Sequence, residues 1–318
     1  MCTVENRILQ DLATGHIDGA SVLVSQKGQT LYKAHFGTAK PDSLYRIASM
    51  TKPITAVAVL LLVQRKQLFL TDPVVKYLPG FPVDLQIVHL LTHCSGLSQS
   101  YYAEHITDEH RKDADLLVDF ISGVPFDHAP GTYAEYNPVA AYALLTAIIE
   151  KVVQMDFASF VEKEILNPLE MTDTTFLPTK EQWARLVPMA DTVPGCIFER
   201  YPVSNPIGGA GLVSSLEDYH KFAKMLLKGG KGILSPEMIK TMTTPHIGHW
   251  GCGVRVVGKE NRLPEGSFGW SGAYGTHFWV DPQNEIVAIY MKNSRTDGGA
   301  SAKTAAHFEE DVYRAFDK

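Results

Sequence analysis

The stretch Pro53–Val63, PITAVAVLLLV, presents Ile54, Ala56, Val57, Ala58, Val59, Leu60, Leu61, Leu62 and Val63 around the whole circumference of any helix it forms. A helix that is apolar on every side has to sit inside a large core, and this run is too short to span a bilayer. The chain, 318 residues long, can supply such a core as one large unit or two interleaved ones. Directly before the run stands Ser49-Met50-Thr51-Lys52. Positions i and i+3 share a helix face, so the Ser49 hydroxyl and the Lys52 amine come within hydrogen-bond reach. The pair reads in two ways, as a helix N-cap with a surface lysine or as a nucleophile with its base. Ser-x-x-Lys alone favours the first. The buried helix favours the second, because desolvation drives an interior amine toward the neutral form that a general base needs.

Away from this helix the periodicity changes along the chain. Val4–Thr14 has amphipathic helical spacing, and ASVLVSQKGQTLYKAHFG follows as a hairpin around Gln26-Lys27-Gly28-Gln29, where Gly28 supplies a positive φ. Near the other end, GTHFWVDPQNEIVAIYMKN gives two more β-rich runs around Asp281-Pro282-Gln283-Asn284, and SAKTAAHFEEDVYRAF closes as a helix. Between them, TKPITAVAVLLLVQRKQL, DLQIVHLLTHCSGL, DEHRKDADLLVDFISG, NPVAAYALLTAIIEKVVQ, DFASFVEKEIL and SLEDYHKFAKMLLKGG are each expected as helices. Asp156 and Ser215 are candidate caps, and Gly96, Gly123 and Gly229 mark ends. The layout predicts an α+β fold: an antiparallel sheet flanked by helices and built from both termini (1–48 with 246–318), plus a large, mainly helical domain (49–245). The cleft between the two is the natural ligand site.

Charge and cysteine usage narrow the function further. The net charge is −6 with no run of Lys and Arg, which argues against a nucleic-acid partner. The opening MCTVENRILQDL has no charged stretch followed by an apolar one, and Cys2, Cys94, Cys196 and Cys252 show no paired spacing. A cytoplasmic protein with free thiols and no membrane partner is expected; the oligomeric state cannot be read. His89 and His93 stand i, i+4 with Cys94 adjacent, a zinc-like spacing, yet no third ligand is near and no metal is expected. GGAGL, Gly208–Leu212, lacks the Gly-Lys-Ser/Thr ending of a phosphate loop.

Two further segments carry candidate chemistry. In APGTYAEYNPVAAYALL, Tyr136 stands at a loop-to-helix junction and can aim its hydroxyl into a cleft; a neighbouring cation would lower its pKa and let it accept the serine proton. In GSFGWSGAYGTHFWVDP, glycines just before a strand suggest backbone lying close to a ligand, and a free N–H there, with that of Ser49, would make a two-donor oxyanion hole.

With YRIASMTKPITA, IVHLLTHCSGLS, PGTYAEYN, ILNPLEMTDTTF, GGAGLVSSLEDYHKFAKMLLKGG and FGWSGAYGTHFWVDP in this order, the chain resembles the serine β-lactamase and penicillin-binding-protein superfamily. Within it, the class C-like branch is most similar, and the motifs come nearest the family VIII-type esterases and transesterases. The resemblance implies Ser49 as acylated nucleophile, Lys52 as its base, Tyr136 as the second-motif tyrosine, and the N–H groups of Ser49 and Ala273 as oxyanion donors. Gly272 and Ala273 begin the oxyanion strand, and Trp270, Ser271, Gly272 and Asn137 would contact substrate. Two departures stand out. The usual Tyr-Ser/Ala-Asn is here Tyr136-Asn137-Pro138, and the Lys-Thr-Gly or His-Thr-Gly motif is Trp270-Ser271-Gly272, without the cation that binds a carboxylate.

The expected activity is therefore cofactor-free cleavage of small carboxylic esters through an acyl-enzyme, with possible acyl transfer. A D-amino-acid amidase, peptidase or weak β-lactamase is the alternative, and a non-catalytic penicillin-binding-like regulatory protein is the alternative of another class. Arg255 is a candidate replacement for the missing cation.

Overall fold

The computed structural model describes residues 2–189, 205–259, 262–294 and 303–316. Its strands, in chain order, are β1 (Gly19–Gln26), β2 (Gln29–Gly37), β3 (Leu44–Arg46), β4 (Val213–Ser215), β5 (Arg255–Val256), β6 (Phe268–Ser271), β7 (His277–Asp281) and β8 (Ile286–Lys292). Six of them form an antiparallel sheet in the order β2-β1-β8-β7-β6-β5, while β3 and β4 pair as a separate ribbon. The β1–β2 turn has positive φ at both Lys27 (50°) and Gly28 (83°), as a two-residue type I′ hairpin requires. At the β7–β8 turn, Asp281 Oδ1 accepts from the N–H groups of Gln283 and Asn284.

The two ends of the chain meet mid-sheet, with Ala20 opposite Lys292 and Gln26 opposite Ile286. Successive strand side chains point to opposite faces, and β8, buried along its whole length, shows both. Ile286, Ala288 and Tyr290 join Val22 and Val24 in a core closed by the helices Cys2–Ala13 and Lys303–Phe316. Val287, Ile289 and Met291 face the larger core instead. The helix Leu216–Leu227 covers that second face, its Tyr219 ring edge-on to Phe278 at 5.0 Å. The stretch expected as mainly helical thus also supplies strand β4 and the layer that covers the sheet.

At the centre of the larger core lies the helix Thr51–Gln64, buried from Thr51 through Leu62, with the helix Ala140–Val153 beside it. Some of the expected helices differ in extent. DLQIVHLLTHCSGL contributes only Ile87–Leu91, and DEHRKDADLLVDFISG divides into Asp108–Lys112 and Ala114–Ser122. The division falls at Asp113, which leaves helical geometry (φ −126°, ψ 125°) so that its carboxylate can accept from Leu116 N–H. Asp156 and Ser215 cap as expected, on the N–H groups of Ser159 and Asp218. Cys94 and Cys252 are free and buried; Cys196 lies outside the described residues. Among the described residues no helix is long and apolar enough to cross a membrane.

Candidate active site

The chain leaves β3 through a single 3-10 turn, Ala48–Met50, that carries Ser49 to the head of the central helix. Ala48 holds a φ of 44°, a left-handed conformation costing a residue with a Cβ roughly 1–2 kcal/mol. The helix N-cap is Met50, with no side-chain cap bond, so the Ser49 hydroxyl is not spent on capping. Its Oγ lies 2.8 Å from the Tyr136 hydroxyl and 3.2 Å from Lys52 Nζ.

Lys52 has no exposed surface. Burial drives its pKa well below the ordinary lysine value, because the cation loses its hydration and has no ion pair among the described residues. The amine donates to the Gly209 carbonyl at 2.6 Å, so a neutral Lys52 can make that bond and still turn its lone pair to Ser49. This gives GGAGL its place. Gly208 takes a bond from Thr55 Oγ1 at 2.8 Å, and a Cβ at Gly208 would stand 2.7 Å from that oxygen. The two glycines let a distant loop lie flat against the helix Thr51–Gln64.

Tyr136 reaches the site from the loop before the helix Ala140–Val153. As a residue it is 37 % exposed toward the cleft, but its hydroxyl lies deep among protein atoms. Burial pushes the phenol up to about 12, against hydrogen bonds to Ser49 and Trp270 that pull it down. The expectation that a cation would lower this pKa is therefore overturned. The neighbouring lysine is itself driven toward neutrality, and the phenol keeps its proton.

Asn137 also departs from expectation. It is buried, its Oδ1 accepts from Ala141 N–H at 3.3 Å at the start of the helix, and its Nδ2 has no partner. Pro138 lines the cleft in its stead. Asn137 is thus turned inward toward the start of the helix rather than lining the cleft.

Trp270, at the place of the family's lysine, forms part of an aromatic cage. Its ring centroid lies 5.5 Å from His93 in a stacked arrangement, 5.4 Å from Trp250 and 5.9 Å from Tyr136. His93 and Trp250 went unrecognised as site residues in the sequence. The helix carrying His89 ends at Leu91, and His93 follows at φ 56°, so the two histidines do not share a helix face. His89 accepts from Gln86 N–H, whereas His93 is turned beneath the site. Burial, and then the charge of Lys52, drive the His93 pKa well below its ordinary value, which leaves a neutral ring under the cage.

The tip of the β6–β7 hairpin adjoins the cage. A Cβ on Gly272 would stand 2.3 Å from the Ile47 carbonyl oxygen, so this strand end is seated directly against the segment entering the turn that carries Ser49. Among the described residues, the N–H groups of Ser49 and Ala273 donate no turn or loop hydrogen bond, and both residues line the same cleft. Ser271 lines it too, with its Oγ 2.8 Å from His277 Nδ1. The cleft measures about 1120 Å³, and its lining includes Tyr136, Trp250 and Trp270 together with Arg255, Lys259 and Arg262.

Comparison with known proteins agrees with this architecture. The chain is 27 % identical to Esterase EstB of Burkholderia gladioli over 93 % of its own length and 91 % of that protein's. It is 26 % identical to an uncharacterised Mycobacterium tuberculosis protein, over 92 % and 89 % of the two chains. Among solved structures, EstCE1, described as a hydrolase with promiscuous acyltransferase activity, superposes with a TM-score of 0.86 at 22 % identity, covering 98 % of this chain and 97 % of that one. A family model described as Beta-lactamase matches residues 4–311, and the chain belongs to that family.

Proposed function

We propose that this chain hydrolyses carboxylic esters through an acyl-enzyme on Ser49 and that an alcohol can replace water as acyl acceptor. The observation that carries the reading is the Ser49 hydroxyl held between Lys52 and Tyr136 at 3.2 and 2.8 Å, beside an aromatic wall with Trp270 where a carboxylate-binding lysine would stand. The esterase name of the Burkholderia relative and the acyltransferase description of EstCE1 support it as properties of those proteins.

In the first half-reaction Ser49 Oγ attacks the acyl carbonyl as its proton passes to the Lys52 lone pair. The N–H groups of Ser49 and Ala273 hold the developing oxyanion, where one such donor contributes on the order of 3 kcal/mol to barrier lowering. Tyr136, neutral because burial raises its pKa, protonates the departing alkoxide and is reprotonated from Lys52. Water or an alcohol then attacks the acyl carbon and releases the acyl group from Ser49.

The test is turnover of p-nitrophenyl butyrate by the native protein and by Ser49→Ala. The reading expects loss of at least a thousandfold in the variant, within the range of a missing nucleophile; retained turnover rules out the mechanism. Arg255 in the cleft wall favours one second reading, action on a carboxylate-bearing amide or β-lactam. Faster hydrolysis of a chromogenic cephalosporin than of the ester would put that reading first.

A further inference from the structure

Ser271 and His277 stand directly opposite each other across the β6–β7 hairpin, where cross-strand side chains approach to about 5 Å. Ser271 Oγ lies 2.8 Å from His277 Nδ1, and His277 Nε2 lies 3.2 Å from Glu309 Oε1 on the helix Lys303–Phe316. A carboxylate can only accept, so Nε2 carries the imidazole proton and the unprotonated Nδ1 accepts from the Ser271 hydroxyl. Ser271 Oγ then turns lone pairs into the cleft with a base behind it. The sequence hydroxyl, imidazole, carboxylate is the order used to activate an oxygen, here with the two ring nitrogens exchanged.

A purely structural clip between the sheet and the C-terminal helix would not need contact with the ligand space. All three residues nevertheless line the cleft shared with Ser49. Gly272, next to Ser271, is seated against the Ile47 carbonyl two residues before Ser49. Ser271 therefore approaches the reaction centre from the sheet, whereas Lys52 and Tyr136 approach from the helical side.

We propose that Ser271, His277 and Glu309 form a second proton-transfer unit, one that serves the acyl acceptor while the acyl group leaves Ser49; this rests on the acyl-enzyme reading above. The acceptor, water or an alcohol, gives its proton to Ser271 Oγ as its oxygen bonds to the acyl carbon. The original Ser271 proton passes to His277 Nδ1, and the imidazolium is held by Glu309. The bond from the acyl carbon to Ser49 Oγ then breaks, and Ser49 takes the proton of Tyr136. The proton held on His277 returns through Ser271 to the Tyr136 oxygen, while Lys52 stays neutral, and the half-reaction leaves no net charge behind. Ser271 is a catalytic residue in this scheme; His277 and Glu309 act through it.

The two half-reactions can be timed separately. Acylation is followed by p-nitrophenol release from excess p-nitrophenyl butyrate in a stopped-flow instrument. Deacylation is followed by the decay of butyryl-Ser49 in intact-mass spectra after a chase, with and without ethanol as acceptor. In Glu309→Gln, acylation is expected to stay within twofold of native while deacylation slows by about tenfold or more, so that butyryl-Ser49 accumulates. Ser271→Ala should slow deacylation further, and Ser271→Thr should restore much of it, which a packing defect would not allow. The proposal is overturned if both phases fall together, if neither changes in a folded Glu309→Gln, or if the butyryl group is found on Ser271. Absence of butyryl-Ser49 from the native protein would instead remove the acyl-enzyme reading and this proposal with it.

Discussion

An amine with no exposed surface and no ion pair among the described residues titrates low because nothing replaces the water that would solvate its cation. In the proposed mechanism this makes Lys52 the base, and the same burial leaves Tyr136 as the acid, with a pKa pushed up to about 12. The proposed working form has Lys52 unprotonated and Tyr136 protonated. Activity should therefore rise with pH through the depressed Lys52 pKa and hold level until the Tyr136 pKa is approached. A kcat/KM profile on p-nitrophenyl acetate should show one ascending limb, complete before the ordinary lysine range, and no fall below about pH 10. A descending limb near neutrality would mean that a different acid is at work. Ser49 and Lys52 were legible because the apolar run behind them forces both toward the interior. Gly209, His93 and Trp250 were not, since each comes from a distant segment whose local pattern carries no sign of the contact. The pKa of Tyr136 was misjudged for a related reason: the sequence shows a buried lysine but not that the phenol hydroxyl itself is buried.

At the level of elements, the candidate site depends on how closely the β6–β7 hairpin tip meets the turn that carries Ser49. Gly272→Ala would put a methyl group 2.3 Å from the Ile47 oxygen and 2.2 Å from Thr276 Oγ1, and the strand would have to move away. Overpacking of this kind costs about 1–3 kcal/mol, and a displacement near 1 Å can cost about a hundredfold in rate. The variant should fold, melt a few degrees lower and lose about a hundredfold in kcat/KM on p-nitrophenyl butyrate; full activity would show that the Ala273 N–H is not an oxyanion donor. The β hairpins were legible at this level because alternating β-rich runs flank strong turn residues. Helix extents were less so. Asp113 interrupts a continuous helical pattern by capping the second half, and a capping aspartate looks the same in sequence as a solvated one. Asn137, expected as a substrate contact, likewise turns inward, its Oδ1 accepting from Ala141 N–H.

On the scale of the whole molecule, the sheet exists only because the first and last segments of the chain meet. The helices Cys2–Ala13 and Lys303–Phe316 are joined by Arg7, whose guanidinium donates to both oxygens of Asp311 at 2.6 and 3.3 Å; Asp311 is fully buried. Removing one partner of such a pair strands a buried charge, at a cost of about 3 kcal/mol. Urea denaturation of Arg7→Ala should show the midpoint lowered accordingly at an unchanged slope, whereas an unaltered midpoint would mean the ends are held by the apolar core alone. Strands at both ends with helices between made this architecture legible, but the partner of Arg7, three hundred positions away, was not. The account as a whole stands on covalent chemistry at one oxygen, and the direct measurement is peptide mapping by mass spectrometry after brief exposure to p-nitrophenyl butyrate or a fluorophosphonate. One adduct per chain, located on Ser49 and absent from Ser49→Ala, is the predicted result. A native protein that turns over the ester with no adduct at Ser49, or with the adduct on another residue, would contradict it.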